Sequence, residues 1–123
     1  MKLIGTKLEE MYPWDLIPPH GVARPHIFRR ISRSMERKGW TGRSIVAVRA
    51  KGWNVSRALT GSHRIAAAGL CGITIPVYLL EFDKITNQDM VEILTWDCGY
   101  YEMKHWLAKW DKKAARIFSY DLR

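Results

Sequence analysis

The chain has 123 residues, 47% of them hydrophobic, and a formal net charge of +8, which fits one compact domain with its own core and leaves too little for two. Cys71 and Cys98 stand in apolar surroundings and make no CxxC or other metal-ligand spacing, so the sequence predicts reduced thiols rather than a disulfide framework or a zinc site. The opening MKLIGTKLEE reaches charged residues before any signal-peptide core, and no stretch approaches membrane-spanning length. The expectation is a cytoplasmic protein without a membrane partner.

The charge is unevenly placed. Residues 1–62 carry twelve Lys and Arg against Glu9, Glu10, Asp15 and Glu36, whereas residues 63–123 carry eight of each sign. A basic excess confined to one half points to a polyanionic partner, nucleic acid or a phosphate-bearing ligand, because summed charge steers encounters.

In chain order, an opening strand or turn leads to WDLIPPHGVARP, where Pro18, Pro19, Gly21 and Pro25 predict a loop. Pro25 suits the first turn of a helix that runs to about Lys38 and ends at Gly39. At about 100° per residue, Ile27, Phe28, Ile31 and Met35 share one arc, and Arg29, Arg30, Arg33 and Arg37 share the opposite one. A turn through GWTGR then precedes two β-branched segments, SIVAVRA and WNVSRAL, joined through Lys51-Gly52 as a hairpin.

The second segment feeds ALTGSHRIAAAGLCG, read as a helix over 63–70 with Ser62 as its cap and Gly72 as its end. TIPVYLLEF returns as a strand, which makes the short helix a crossover. From Thr86 the pattern is helical, capped by Thr86 or Asn87, with apolar positions at Met90, Val91, Leu94, Cys98 and Tyr101 and a division at Gly99. The rest, YYEMKHWLAKWDKKAARIF, places Trp106 and Trp110 one turn apart beside Met103 and Leu107, a stripe that reads as core.

The chemistry concentrates at Thr60-Gly61-Ser62-His63-Arg64, where strand turns into helix. The first amides of a helix lack intrahelical partners and carry the positive end of its dipole, so they bind anions. Gly61 lets backbone approach a ligand, Ser62 offers a hydroxyl, and Arg64 supplies a planar fork for phosphate oxygens. His63 is placed to donate a hydrogen bond or move a proton. Glu81 and Asp83, at the end of the next strand, are candidates to hold a magnesium ion with a nucleotide's phosphates, or to be solvated charges. His20, His26 and His105 lack zinc spacing and read as surface or packing residues.

The order LIPP, a basic helix ending SMERKGW, GRSIVAV, a hairpin and TGSHRIAAAGLCGITIPVYLLE resembles the ParB and sulfiredoxin superfamily over roughly residues 12–83. The resemblance implies an α/β (α+β) fold with a small mixed sheet and flanking helices over 1–85, followed by a C-terminal helical extension over 86–123 packed on the same domain. It implies that Thr60, Gly61, Ser62, His63 and Arg64 hold nucleoside phosphates, with Arg24, Thr41 and Arg43 as companions from the early loop and the 39–43 turn. The nucleotide would be a tri- or diphosphate, ATP or CTP, with or without Mg2+.

Two departures from the family bear on activity. Sulfiredoxins carry a reactive cysteine where this chain has Ser62, and an unactivated hydroxyl lacks thiolate nucleophilicity, so sulfinic acid repair is not expected. Partition ParB proteins continue with a second Asn-Arg-rich box, a helix-turn-helix domain and a dimerisation segment, whereas FDKITNQDMVEILTWDCG carries no such box. The expectation is a nucleotide-binding ParB-like domain protein, acting as a switch or as a phosphotransfer or hydrolysis site associated with DNA, with His63 and Glu81 as catalytic candidates. The alternative is a non-catalytic DNA-binding accessory protein of a plasmid or phage, using Arg29, Arg30, Arg33 and Arg37 on phosphates. The sequence leaves open a homo-oligomer.

Overall fold

The computed structural model describes residues 1–95 and 100–121. Its strands are β1 (Leu3–Met11), β2 (Leu16–Ile17), β3 (Ile45–Ala50), β4 (Ser56–Ala58) and β5 (Ile75–Phe82). They form one mixed sheet in the order β1-β5-β3-β4-β2. Helices α1 (Pro25–Lys38) and α2 (Ser62–Cys71) cover one face. On the other lie α4 (Tyr100–Trp110) and α5 (Lys112–Asp121), reached through α3 (Asn87–Thr95).

Central strands covered on both faces need apolar side chains in both directions, which is why IVAVRA and IPVYLLEF read as near-continuous apolar runs. Alternation then sorts them. Val46, Val48, Tyr78, Leu80 and Phe82 join a core with Met103, Trp106, Leu107 and Phe118. Ile45, Ala47, Ile75, Val77 and Leu79 join a second core with Met35, Ile65, Ala67 and Ala68. The tryptophan stripe is core, as the spacing predicts. No helix among the described residues is long and apolar enough to cross a membrane.

Several sequence expectations change. The segment DLIPP is more than loop: Pro13–Asp15 forms a 3-10 turn and Leu16–Ile17 a short edge strand parallel to β4, too brief for a periodic signal. The helix α2 is a crossover as predicted, and it passes β3, since β4 and β5 flank β3 on opposite sides, antiparallel and parallel to it. Its first turn lies at the end of the sheet from which β3 departs. The last helical stretch breaks at Asp111, whose Oδ2 accepts the Ala114 N–H at 3.0 Å and the Tyr78 hydroxyl at 2.7 Å, capping α5 and tying it to β5. The division predicted at Gly99 and the position of Cys98 lie outside the described residues. Thr86 does cap α3, its Oγ1 accepting the Asp89 N–H while Asp89 Oδ2 accepts the Thr86 N–H.

Candidate phosphate site

Gly61 is the hinge from strand to helix. Its backbone is left-handed, φ +85° and ψ 26°, and a Cβ placed there would lie 2.8 Å from Ile45 Cδ1 at the start of β3. Both facts require glycine. Its carbonyl accepts the Ile65 N–H at 2.8 Å, opening α2 without a side-chain cap. The sequence expects Ser62 to be that cap, and this is corrected: Ser62 is buried inside the first turn, and its Oγ accepts the His20 N–H at 3.1 Å. It anchors the proline-rich loop instead.

His63 makes the second anchor. Its Nε2 accepts the Arg24 N–H at 3.1 Å, which sets the neutral ring with its proton on Nδ1. Arg24 is the residue before α1, with Pro25 at the first helical position. The amino termini of α1 and α2 therefore meet at His63, and the positive ends of two helix dipoles converge on one spot. His20 stands edge-on to His63 with ring centroids 6.1 Å apart. Burial holds His63 below the ordinary imidazole value, and the positive charges of His20, Arg24 and His26 push it lower.

Arg64 closes the other side. Its guanidinium lies 4.8 Å over the Trp40 ring and donates from Nη1 to the Arg43 carbonyl at 3.0 Å. The turn after α1 is thereby fixed against α2, with Gly42 at φ +96° on the same guanidinium. Thus Gly61, Ser62, His63, Arg64, Arg24 and the Arg43 carbonyl come together. Thr60 is half-buried beside them, and Thr41 is exposed in the tethered turn.

Glu81 does not belong to this cluster. It sits on β5 opposite Arg49, four rungs along from the Ile45–Val77 rung, or about 13 Å at about 3.3 Å per residue. Its carboxylate faces Lys7 at 3.5 Å and Arg49 at 3.6 Å. Asp83 is engaged too: its Oδ1 accepts the Lys2 and Lys84 N–H groups at 2.7 Å each, and these bonds hold its carboxyl below the usual range. The expectation that both lie near the ligand rests on the carboxyl ends of strands being the usual ligand side; here the signature turn lies against Ile45 at the start of β3, and the parallel register of β3 and β5 puts Glu81 at the other end. Among the described residues no three His, Cys, Asp or Glu converge as a metal-binding group.

The arginine arc of α1 is as predicted. Arg29, Arg30, Arg33 and Arg37 are exposed, while Phe28, Ile31 and Met35 turn inward. Two residues went unforeseen. The sequence places Trp40 only in a glycine-rich turn and His20 only among surface or packing residues. Neither has a signal in spacing, since each meets the site through chain folding across at least twenty residues.

No known family profile and no curated protein matches the chain. Among solved structures it is similar to the C-terminally truncated chromosome-partitioning protein ParB from Caulobacter crescentus complexed with CTP-gamma-S, at 20% identity and TM-score 0.54, covering 76% of this chain. It is also similar to sulfiredoxin from Arabidopsis thaliana, at 16% identity and TM-score 0.56 over 72% of this chain. The chain has the ParB/sulfiredoxin fold. It spans 53% of that ParB chain and 97% of the sulfiredoxin.

Proposed function

We propose that this protein binds a nucleoside phosphate where α1 and α2 begin, as a switch or as a phosphotransfer or hydrolysis site associated with DNA. The observation that carries the reading is the meeting of two helix amino termini at His63, flanked by Arg24 and Arg64. Anions suit that position because first-turn amides and both dipoles favour negative charge. The CTP-gamma-S complex of the ParB neighbour supports a nucleotide as the anion. In this reading the backbone at Gly61 approaches the phosphates, Arg64 is pre-oriented by Trp40 and the Arg43 carbonyl, and neutral His63 donates from Nδ1. The cluster brings no described carboxylate for a divalent ion, so no step is assigned to magnesium, and Glu81 is not proposed as a catalytic group.

Calorimetric titration with ATP, ADP, CTP and GTP, with and without Mg2+, tests the proposal. The parent should bind one of them saturably, and Arg64→Ala should weaken it by roughly tenfold or more, the scale of a lost charge-assisted hydrogen bond. Circular dichroism guards against misfolding from loss of the Trp40 contact. A folded parent that binds none of the four sinks the reading. Preference for cytosine points to a switch, and preference for adenine to phosphotransfer.

A second reading rests on the exposed arc of Arg29, Arg30, Arg33 and Arg37, which suits a nucleic-acid backbone. Replacing Arg30 and Arg33 with Glu should weaken DNA binding and flatten its salt dependence by roughly one unit of slope per lost phosphate contact. DNA affinity indifferent to both salt and these changes rejects it.

A further inference from the structure

The two edges of the sheet differ in what they offer a partner. At one edge β2 has two residues and runs into Pro18 and Pro19, so its ladder cannot extend. At the other, β1 has nine residues paired to β5 along one side only. Unpaired N–H and C=O groups on such a strand are a template for another strand.

The side chains of β1 add to this. Leu8 pairs with Tyr78 across β5, yet Tyr78 is buried under the α4–α5 layer while Leu8 is 64% exposed. Leu3 and Met11 at the two ends of β1 pack into the cores, and the middle of the strand is left uncovered. Ile4 is 53% exposed on the same strand, and Gly5 next to it marks a register shift against β5. On the opposite face, Lys7 Nζ lies 3.2 Å from Glu9 and 3.5 Å from Glu81.

We propose that β1 pairs antiparallel with β1 of a second copy of this chain, about a two-fold axis through Leu8 perpendicular to the sheet. The sequence LIGTKLEEM is self-complementary at that register and not at its neighbours. Leu8 faces Leu8, each Lys7 faces the other copy's Glu9, and Thr6 faces Glu10. Shifting the pairing by one pair in either direction sets Lys7 against Lys7 or Glu9 against Glu9, and like charges directly opposite are unfavourable. The interface is isologous, so it closes at two copies and joins the five-stranded sheets into one continuous sheet. Backbone hydrogen bonds and burial of Leu8 hold the pair, and the exposed Lys7–Glu9 rungs set the register more than the affinity. This proposal does not rest on nucleotide or DNA binding. The α1–α2 junction stays open, because β1 and β2 lie at opposite edges.

Sedimentation equilibrium over a range of concentrations tests it with charge swaps. The parent should be in monomer–dimer exchange. Lys7→Glu alone, and Glu9→Lys alone, should each weaken the dimer by roughly tenfold, since each creates two like-charge rungs. The double swap of Lys7→Glu with Glu9→Lys should restore it. The double swap also restores the Lys7–Glu9 pair within one chain, so the position of the disulfide in the next experiment is what separates pairing across the axis from damage within one chain. As an independent readout, Leu8→Cys should give an interchain disulfide between the two introduced thiols under mild oxidation, mapped by peptide mass spectrometry to distinguish it from Cys71 and Cys98. Thr6→Cys should not, because position 6 faces position 10. A parent that stays monomeric at every concentration overturns the proposal, as does a dimer indifferent to the single swaps.

Discussion

On the α1–α2 face the sheet meets its helices largely through small and branched side chains, Ala47, Ala58, Ala67, Ala68 and Ile65, whereas on the α4–α5 face Phe82 meets Trp106, Trp110, Leu107 and Phe118. The two faces share the same strands, taken alternately, yet divide the work. Small residues let α2 lie close to the sheet, so that its first turn sits against the start of β3 with 2.8 Å between Ile45 and a would-be Cβ at Gly61. Large aromatics on the other face bury the area that a small domain needs. Position is set on one side, and the large aromatic rings are buried on the other.

The largest expected effect breaks the cohesive side. Phe82 is fully buried, with its ring 5.3 Å from that of Trp110 and 6.4 Å from that of Trp106. Phe82→Ala should cost about 3–5 kcal/mol in denaturant unfolding, a large share of the roughly 5–15 kcal/mol that domains possess. The fraction that stays folded should keep its nucleotide affinity. A loss under about 1 kcal/mol would mean that the aromatic layer is not the anchor.

The positional side is sharpened by two glycines with similar backbones. Gly61 and Gly52 have φ of +85° and +89°, but nothing lies within 4 Å of a Cβ at Gly52. Gly52→Ala should therefore cost only left-handed strain, about 1 kcal/mol. Gly61→Ala adds the collision with Ile45 and should cost about 2–3 kcal/mol. It should also weaken phosphate binding more than Gly52→Ala does. Equal costs would show that close approach to β3 is not the reason for Gly61.

A smaller effect tests the seam between β5 and the last helix. Asp111→Ala removes both the cap on α5 and the acceptor of the Tyr78 hydroxyl, and should cost about 1–2 kcal/mol by thermal or denaturant unfolding. The Tyr78 phenol offers a second readout. Burial pushes it above its ordinary value, Thr6 draws it down, and Asp111 raises it again, so its titration should move downward in the variant.

How far sequence carries depends on whether a feature is local. The arcs of α1, the caps at Thr86 and Gly72 and the turn at Gly61 follow from residues within a few positions of one another, and each has a periodic or steric signature. So does the phosphate turn as a candidate. What could not be read is the placement of strands across the sheet: with β5 parallel to β3 and not beside β4, Glu81 ends up with Lys7 and Arg49, away from His63. Ser62 shows the same limit on a smaller scale. As a residue type it suits a helix cap, but the neighbouring Gly61 takes the cap position and a backbone amide 42 residues earlier takes the hydroxyl.

The smallest effect concerns protons at the junction of the two helices. His63 accepts the Arg24 N–H only when neutral, and burial together with the charges of His20, Arg24 and His26 lowers its folded value below the ordinary 6.5. The folded chain then binds fewer protons here than the unfolded chain. The stability that neutral His63 contributes is therefore complete above pH 6.5 and is lost as pH falls from there through the folded value. His63→Gln should remove this part of the pH dependence while leaving stability above pH 7 nearly unchanged, because an amide oxygen can still accept the Arg24 N–H. Titration of the His63 ring by NMR should place its midpoint below 6.5 in the free protein, and inorganic phosphate should raise it, since a bound anion offsets the surrounding positive charge. A midpoint at or above the ordinary value without phosphate would mean that the two helix termini do not converge on this ring. A lowered midpoint that phosphate leaves unmoved would keep the convergence and remove the anion from it.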